Sequence, residues 1–225
     1  MPIIAWMVGH SLYFLLGIGT IFTFIWLLTF KRQMKMHWYT QLIFSVIHTA
    51  YGVMSVMVFA IAEAGFDMKS AGNMSLFGGV FLMPFLYLIF AKIAHKKVSD
   101  VFDICTICMV FTLMCARINC LIEGCCLGNV ISGTSLHWPT REAEIVFYII
   151  LLLILGRKVK QGNTNGMIYP IYMISYGIFR FLTEGFRYTD STSMIHFGHI
   201  WALISLFLGY CIYTELKKKG RRGKR

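Results

Sequence analysis

Apolar residues dominate the chain in long runs, and polar residues collect between the runs. A helix that crosses a bilayer needs about 20 mostly apolar residues, and seven segments qualify, at about 6–30, 39–63, 73–94, 103–122, 142–156, 166–187 and 195–215. The fifth is the weakest, because its strongly apolar part begins only at Ile145. The longest connection is an outer loop at 123–141, and a basic tail occupies 217–225. The pattern predicts an all-α polytopic membrane protein built as one transmembrane domain of seven helices over 1–216.

The 225 residues are 57% hydrophobic and 14% charged, far from the roughly 25% charge of an average soluble domain. That excludes a soluble enzyme and a disordered chain. Sixteen of the 21 Lys and Arg residues fall at the end of or after the first, third and fifth segments or in the tail. Basic residues accumulate in cytoplasmic loops, so the N-terminus is expected outside and the C-terminus inside. The first segment lacks a basic n-region and a small-residue cleavage site and reads as an uncleaved span. The tail reads as a topology anchor at anionic lipid, with no nucleic-acid partner expected.

Charged residues inside spans are expensive and mark function. Arg117 in the fourth segment and Arg180 in the sixth sit at matched depth, in the outer half. Tyr176, Arg180, Glu184 and Arg187 follow at i, i+4, i+8 and i+11, one face of a helix. A self-satisfied ion ladder would explain Glu184. It leaves cationic charge over, which suits a phosphate held by bidentate arginine. At the same level stand His10, Gly78, Gly79, Glu144, His196, His199 and, in the outer loop, His137. Gly124, Gly128 and Gly133 in that loop permit turns or close backbone approach to a ligand. His48, midway along the second segment, is expected to hydrogen-bond between helices.

Cys105, Cys108, Cys115 and Cys211 read as small polarisable residues filling helix contacts. For Cys120, Cys125 and Cys126 two readings stay open: an outer disulfide, or a weak four-ligand site with His137.

The stretches from Ala116 to Gly128, from Pro139 to Glu144 and from Tyr176 to Arg187 together resemble the bacterial prolipoprotein diacylglyceryl transferase family. Tyr176-Gly177-Ile178-Phe179-Arg180-Phe181-Leu182-Thr183-Glu184-Gly185-Phe186-Arg187 meets the family's Tyr-Gly-x-x-Arg-Phe-x-x-Glu-x-x-Arg in full. Ala116-Arg117-Ile118 through Glu123-Gly124 to Gly128 is similar to its Gly-Arg-Ile-Gly-Asn-Phe-x-Asn-Gly-Glu-x-x-Gly. Pro139-Thr140-Arg141-Glu142-Ala143-Glu144 is similar to its His-Pro-Thr-Gln-x-x-Glu, and Gly198-His199 to its Gly-Gln pair. Three departures stand out: Phe77 precedes Gly78-Gly79 where the family has histidine, Cys120 replaces its Asn, and Cys125 its Glu.

The resemblance implies seven spans in a bacterial plasma membrane and an active site at the outer leaflet. It implies transfer of the diacylglyceryl group of phosphatidylglycerol to the lipobox cysteine of a preprolipoprotein signal peptide, without metal or organic cofactor. Arg117, Arg180, Glu184 and His199 would be catalytic. Tyr176, Arg187, Gly78, Gly79, Gly124, Gly128 and Glu144 would bind the headgroup. Glu184, His196 and His199 are the candidates for taking the thiol proton. The alternatives are a related membrane transferase with another acceptor or donor, an anion transporter, and a non-catalytic lipid-binding protein. Paired broken spans and internal repeats, the marks of many transporters, are missing from the sequence.

Overall fold

The computed structural model describes residues 10–67, 74–162, 164–187 and 197–222. Among these the chain is helical: α1 (Ser11–Thr29), a single turn α2 (Lys31–Met34), α3 (Trp38–Glu63), α4 (Phe77–Ile93), α5 (Val98–Glu123), α6 (Thr140–Gln161), α7 (Ile168–Glu184) and α8 (Phe197–Arg222). Seven long helices thus stand where seven apolar segments were read. Four regions, Ser11–Thr29, Trp38–Glu63, Val98–Glu123 and Phe197–Lys219, are long and apolar enough to cross a membrane. Helix α4 is apolar but only 17 residues long. Helix α6 carries Arg141, Glu142 and Glu144 at one end and Arg157, Lys158 and Lys160 at the other, which dilutes its apolar centre.

At its C-terminal end α8 outruns its apolar run because charged straight-chain residues are good helix formers. Helix α5 begins five residues before its apolar run, and α8 continues through much of the basic tail, with Lys218 Nζ 2.8 Å from Glu215 Oε1.

Helix α5 is the centre of the bundle: two thirds of its apolar stretch is buried, against 17% for α8. Large apolar side chains such as Tyr13, Phe14, Leu182 and Phe207 point outward, which suits lipid and not water. Small residues set the closest crossings, since close backbone approach is how helices associate in lipid. A Cβ on Gly78 of α4 would run into the Ser55 carbonyl of α3, and one on Gly177 of α7 into the backbone of α8 at Ala202 and Leu206. Polar cross-links add to this. Trp26 Nε1 donates to the Ile104 carbonyl at 3.1 Å, and Ser205 Oγ to Met173 at 3.0 Å. His48 Nε2 meets Tyr87 Oη of α4 at 3.1 Å, and Tyr87 donates onward to the Cys105 carbonyl of α5. Cys105, Cys108 and Cys115 are buried in helix contacts.

The segment between α5 and α6 is tied down over the end of α7. Asn129 N–H donates to the Phe186 carbonyl at 2.8 Å, Trp138 N–H to the Asn129 carbonyl at 2.9 Å, and the Trp138 ring packs on Phe186. Isolated bridges pair Gly128 with Arg187 and Val130 with His137.

Candidate active site

Three helices deliver the charged residues to one place. Glu144 lies in the first turn and a half of α6, Arg117 in the last two turns of α5, and Arg180 and Glu184 one turn apart on α7. All four are buried. Glu144 Oε2 is 2.8 Å from Arg117 Nε and 3.7 Å from Arg180 Nη1, so one carboxylate joins two arginines from separate helices. Its other oxygen accepts from Tyr148 Oη at 3.2 Å, four residues on along α6. Glu184 Oε2 takes Arg180 Nη2 at 3.0 Å and reaches Arg187 Nη1 at 3.9 Å.

This arrangement explains how guanidinium groups can sit inside the bundle. An isolated buried charge costs several kcal/mol, and removing one partner of such a pair typically costs about 3–5 kcal/mol. The sequence pattern left two arginines of α7 to a single carboxylate; the fold supplies Glu144 as a second. Arg180 is also held from below by an aromatic face, its Cζ 5.7 Å from the centroid of Phe77. Phe77 packs edge-on against Tyr176 at 5.6 Å. The position where the family pattern has histidine is therefore an apolar floor under an arginine.

Above this cluster is a cavity of about 180 Å³. Arg117, Arg180, Glu184, Arg187, Glu63, Ser75 and Gly198 contribute to its wall. Tyr176 is fully buried between Tyr148 and Tyr172, and its hydroxyl has no hydrogen-bond partner among the described residues. A buried unpaired hydroxyl is costly and calls for an explanation in a ligand or water.

The remaining expected residues fall as follows. Gly78 and Gly79 face protein: their Cβ positions would meet Ser55 and a Leu113 methyl 3.1 Å away. Gly128 lies so close to the Trp138 and Phe186 carbonyls that only glycine fits. Gly124, at φ +70°, ends α5 in the left-handed conformation with open space around it. His199 packs its ring edge-on against Phe181 at 5.3 Å, one residue past Gly198. A Cβ on Gly198 would run into the Glu184 carboxylate. His196 lies outside the described residues.

Three contributors escaped the sequence reading. Tyr148 stands at i+4 from Glu144, a spacing that was readable. Glu63 is the last residue of α3, an acid at the same end as the arginines. Ser75 carries no signal of its own.

Beside Arg117 lie three thiols. Cys120, Cys125 and Cys126 have sulfurs within 4.8 Å of one another, and Arg117 Nη1 is 4.0 Å from Cys120 Sγ. The Cys126 thiol is pulled down to about 5, chiefly by a hydrogen bond from Cys120, with the Arg117 charge assisting. All seven cysteines are free. His137 is turned away, its Nδ1 2.8 Å from the Gly128 carbonyl.

Comparison with known proteins places the chain in a family. A family model described as prolipoprotein diacylglyceryl transferase matches residues 10–214. A protein of Helicobacter pylori (strain Shi470) is 23% identical over 188 residues, covering 74% of this chain and 66% of that protein. One of Pasteurella multocida (strain Pm70) is 29% identical over 141 residues, covering 56% and 51%. One of Ehrlichia ruminantium (strain Welgevonden) is 28% identical over 164 residues, covering 63% and 62%. All three are named phosphatidylglycerol–prolipoprotein diacylglyceryl transferase. The chain thus spans between about half and just under two thirds of the length of these relatives. With the match running from the start of α1 to within α8, the chain belongs to the prolipoprotein diacylglyceryl transferase family.

Proposed function

We propose that this chain transfers the diacylglyceryl group of phosphatidylglycerol to the lipobox cysteine thiol of a preprolipoprotein signal peptide. The seven long helices cross a bacterial plasma membrane with the N-terminus outside, and the site opens at the outer leaflet. The observation that carries the reading is the convergence of Arg117 and Arg180 on one carboxylate at the wall of a polar cavity.

The headgroup of this lipid is a phosphate monoanion bearing a polyol. Arg117, Arg180 and Arg187 offer guanidinium N–H groups to the phosphate. Glu63 and Ser75 are suited to the glycerol hydroxyls, and the buried Tyr176 Oη has no partner among the described residues. Glu144 and Glu184 hold the arginines in place before the lipid arrives, so that no reorganisation is needed when charge develops.

In the reaction the acceptor sulfur forms a bond to the glyceryl carbon, and the carbon–oxygen bond to the phosphate breaks. The bonding pair leaves with the oxygen of glycerol phosphate, where the two arginines meet the developing charge. The acceptor thiol gives up its proton beforehand. Glu184 lines the cavity, and His199 follows Gly198 of its wall in sequence. The glycines fix helix approach and loop path around the headgroup.

Mass spectrometry of a lipobox peptide incubated with the purified protein and phosphatidylglycerol tests this directly. A mass gain of one diacylglyceryl group on cysteine is expected, and an unmodified peptide refutes the reading. Phe77, where the family pattern has histidine, favours one second reading, a related transferase with another thiol acceptor. Transfer to a simple thiol with none to the lipobox peptide would select it.

A further inference from the structure

We propose that Cys120, Cys125 and Cys126 form a three-thiolate site for a thiophilic divalent cation of the zinc class, whose open fourth position takes the acceptor thiol. The second half of this statement rests on the transferase reading; the first does not.

The geometry is already close to that of a bound ion. Zinc–sulfur bonds of about 2.3 Å place thiolates about 3.8 Å apart. The three sulfurs lie within 4.8 Å of one another, so each pair closes by about 1 Å or less. Thiolate ligands select zinc and other soft ions over calcium or magnesium.

The frame around the thiols is fixed independently of any ion. Cys125 N–H donates to the Cys120 carbonyl at 3.1 Å, and Cys126 is held at φ +55°, unusual for a residue with a side chain. Arg141 Nη1 spans the Cys120 carbonyl at 3.3 Å and the Cys125 carbonyl at 3.1 Å, tying the end of α5 to the loop. Three thiolates and a divalent ion carry one net negative charge, and the Arg117 guanidinium stands beside them.

Three protein ligands with a fourth position open is the pattern of a working zinc site, whereas structural sites are closed by four. Cys125 and Cys126 are exposed, so the open position can be reached from solution. A thiol entering it binds as thiolate, and its proton passes to water. The sulfur then keeps a lone pair for the glyceryl carbon, next to the arginine that receives the departing phosphate oxygen. This gives the chain a way to activate the acceptor without the histidine that Phe77 replaces.

The test uses the full chain in detergent, reduced and metal-free, titrated with Cd²⁺ and followed by sulfur-to-metal charge-transfer absorption. One ion per chain is expected. Cys120→Ser, Cys125→Ser and Cys126→Ser should each weaken binding at least about 10-fold, while Cys211→Ser leaves it unchanged. A lipobox peptide added to the loaded protein should raise the band by about a third as a fourth thiolate joins, and the Ser-for-Cys peptide should not.

Absence of binding, or binding that survives Cys120→Ser, overturns the site. A site that fills but ignores the cysteine peptide overturns the acceptor role. Diacylglyceryl transfer measured on the same preparations reports separately on the transferase reading. Circular dichroism of each variant separates lost binding from lost fold.

Discussion

Two acids of this protein are equally buried, each 3% exposed, and do opposite work. Asp103, near the start of α5, accepts from Thr164 Oγ1 at 2.5 Å, Gly166 N–H at 2.7 Å and Ile168 N–H at 2.9 Å. It closes the α6–α7 connection and caps the start of α7 with neutral donors, leaving no cation waiting. Glu144 instead binds two arginines and a tyrosine beside a cavity, with the Tyr176 hydroxyl left over. Burial alone therefore does not mark a functional carboxylate. What marks Glu144 is that its two arginine partners also line a cavity.

The comparison breaks first at the arginines. Arg117→Ala and Arg180→Ala should each lower diacylglyceryl transfer at least about 100-fold, while both proteins still insert and remain helical. Retained transfer in the mass-spectrometric assay would reduce the Glu144 cluster to a structural knot like that of Asp103.

Gly198→Ala comes next. The added methyl runs into the Glu184 carboxylate and displaces it from Arg180, with an expected loss of about 10-fold in transfer. Unchanged turnover would mean that the Glu184–Arg180 contact has slack that the cavity does not need.

At the other pole, Asp103→Ala should cost about 1–3 kcal/mol of stability by orphaning buried donors. Thermal unfolding in detergent reads this, and transfer per folded molecule should stay the same. Reduced turnover of the folded fraction would couple the two regions.

Tyr176→Phe sharpens the contrast further. It removes a hydroxyl that makes no bond within the described protein, so the melting temperature should hold while KM for phosphatidylglycerol rises about fivefold, one hydrogen bond of about 1 kcal/mol. A drop in melting temperature would show that the hydroxyl serves the fold. The smallest effect is expected at His10, exposed at the start of α1: His10→Ala should stay within about twofold in transfer. Complete loss there would extend the site to α1.

The helices were readable because apolar run length is a local quantity. Each helix lies within several residues of its run, and the largest overrun is at the end of α8, where Lys and Arg continue a helix that hydrophobicity no longer signals. The α7 face of Tyr176, Arg180, Glu184 and Arg187 was readable for the same reason, as a spacing within one helix. The glycines were harder. Gly78 and Gly128 were expected near a ligand because close approach suggests one, yet the atoms they approach belong to Ser55, Trp138 and Phe186. Nothing local separates a glycine that admits a ligand from one that admits a neighbouring helix.

Composition and charge placement by themselves determined that this is a helical membrane chain with arginines where lipid ought to be, because hydropathy and charge act residue by residue. Only the tertiary structure decided what those arginines meet. It set Glu144 between Arg117 and Arg180, put the Phe77 ring under one of them, and gathered three thiols within reach of the other. Those pairings join α4, α5, α6, α7 and a loop. They depend on helix crossings and on the path of residues 124–139, which are fixed by packing between segments distant in sequence.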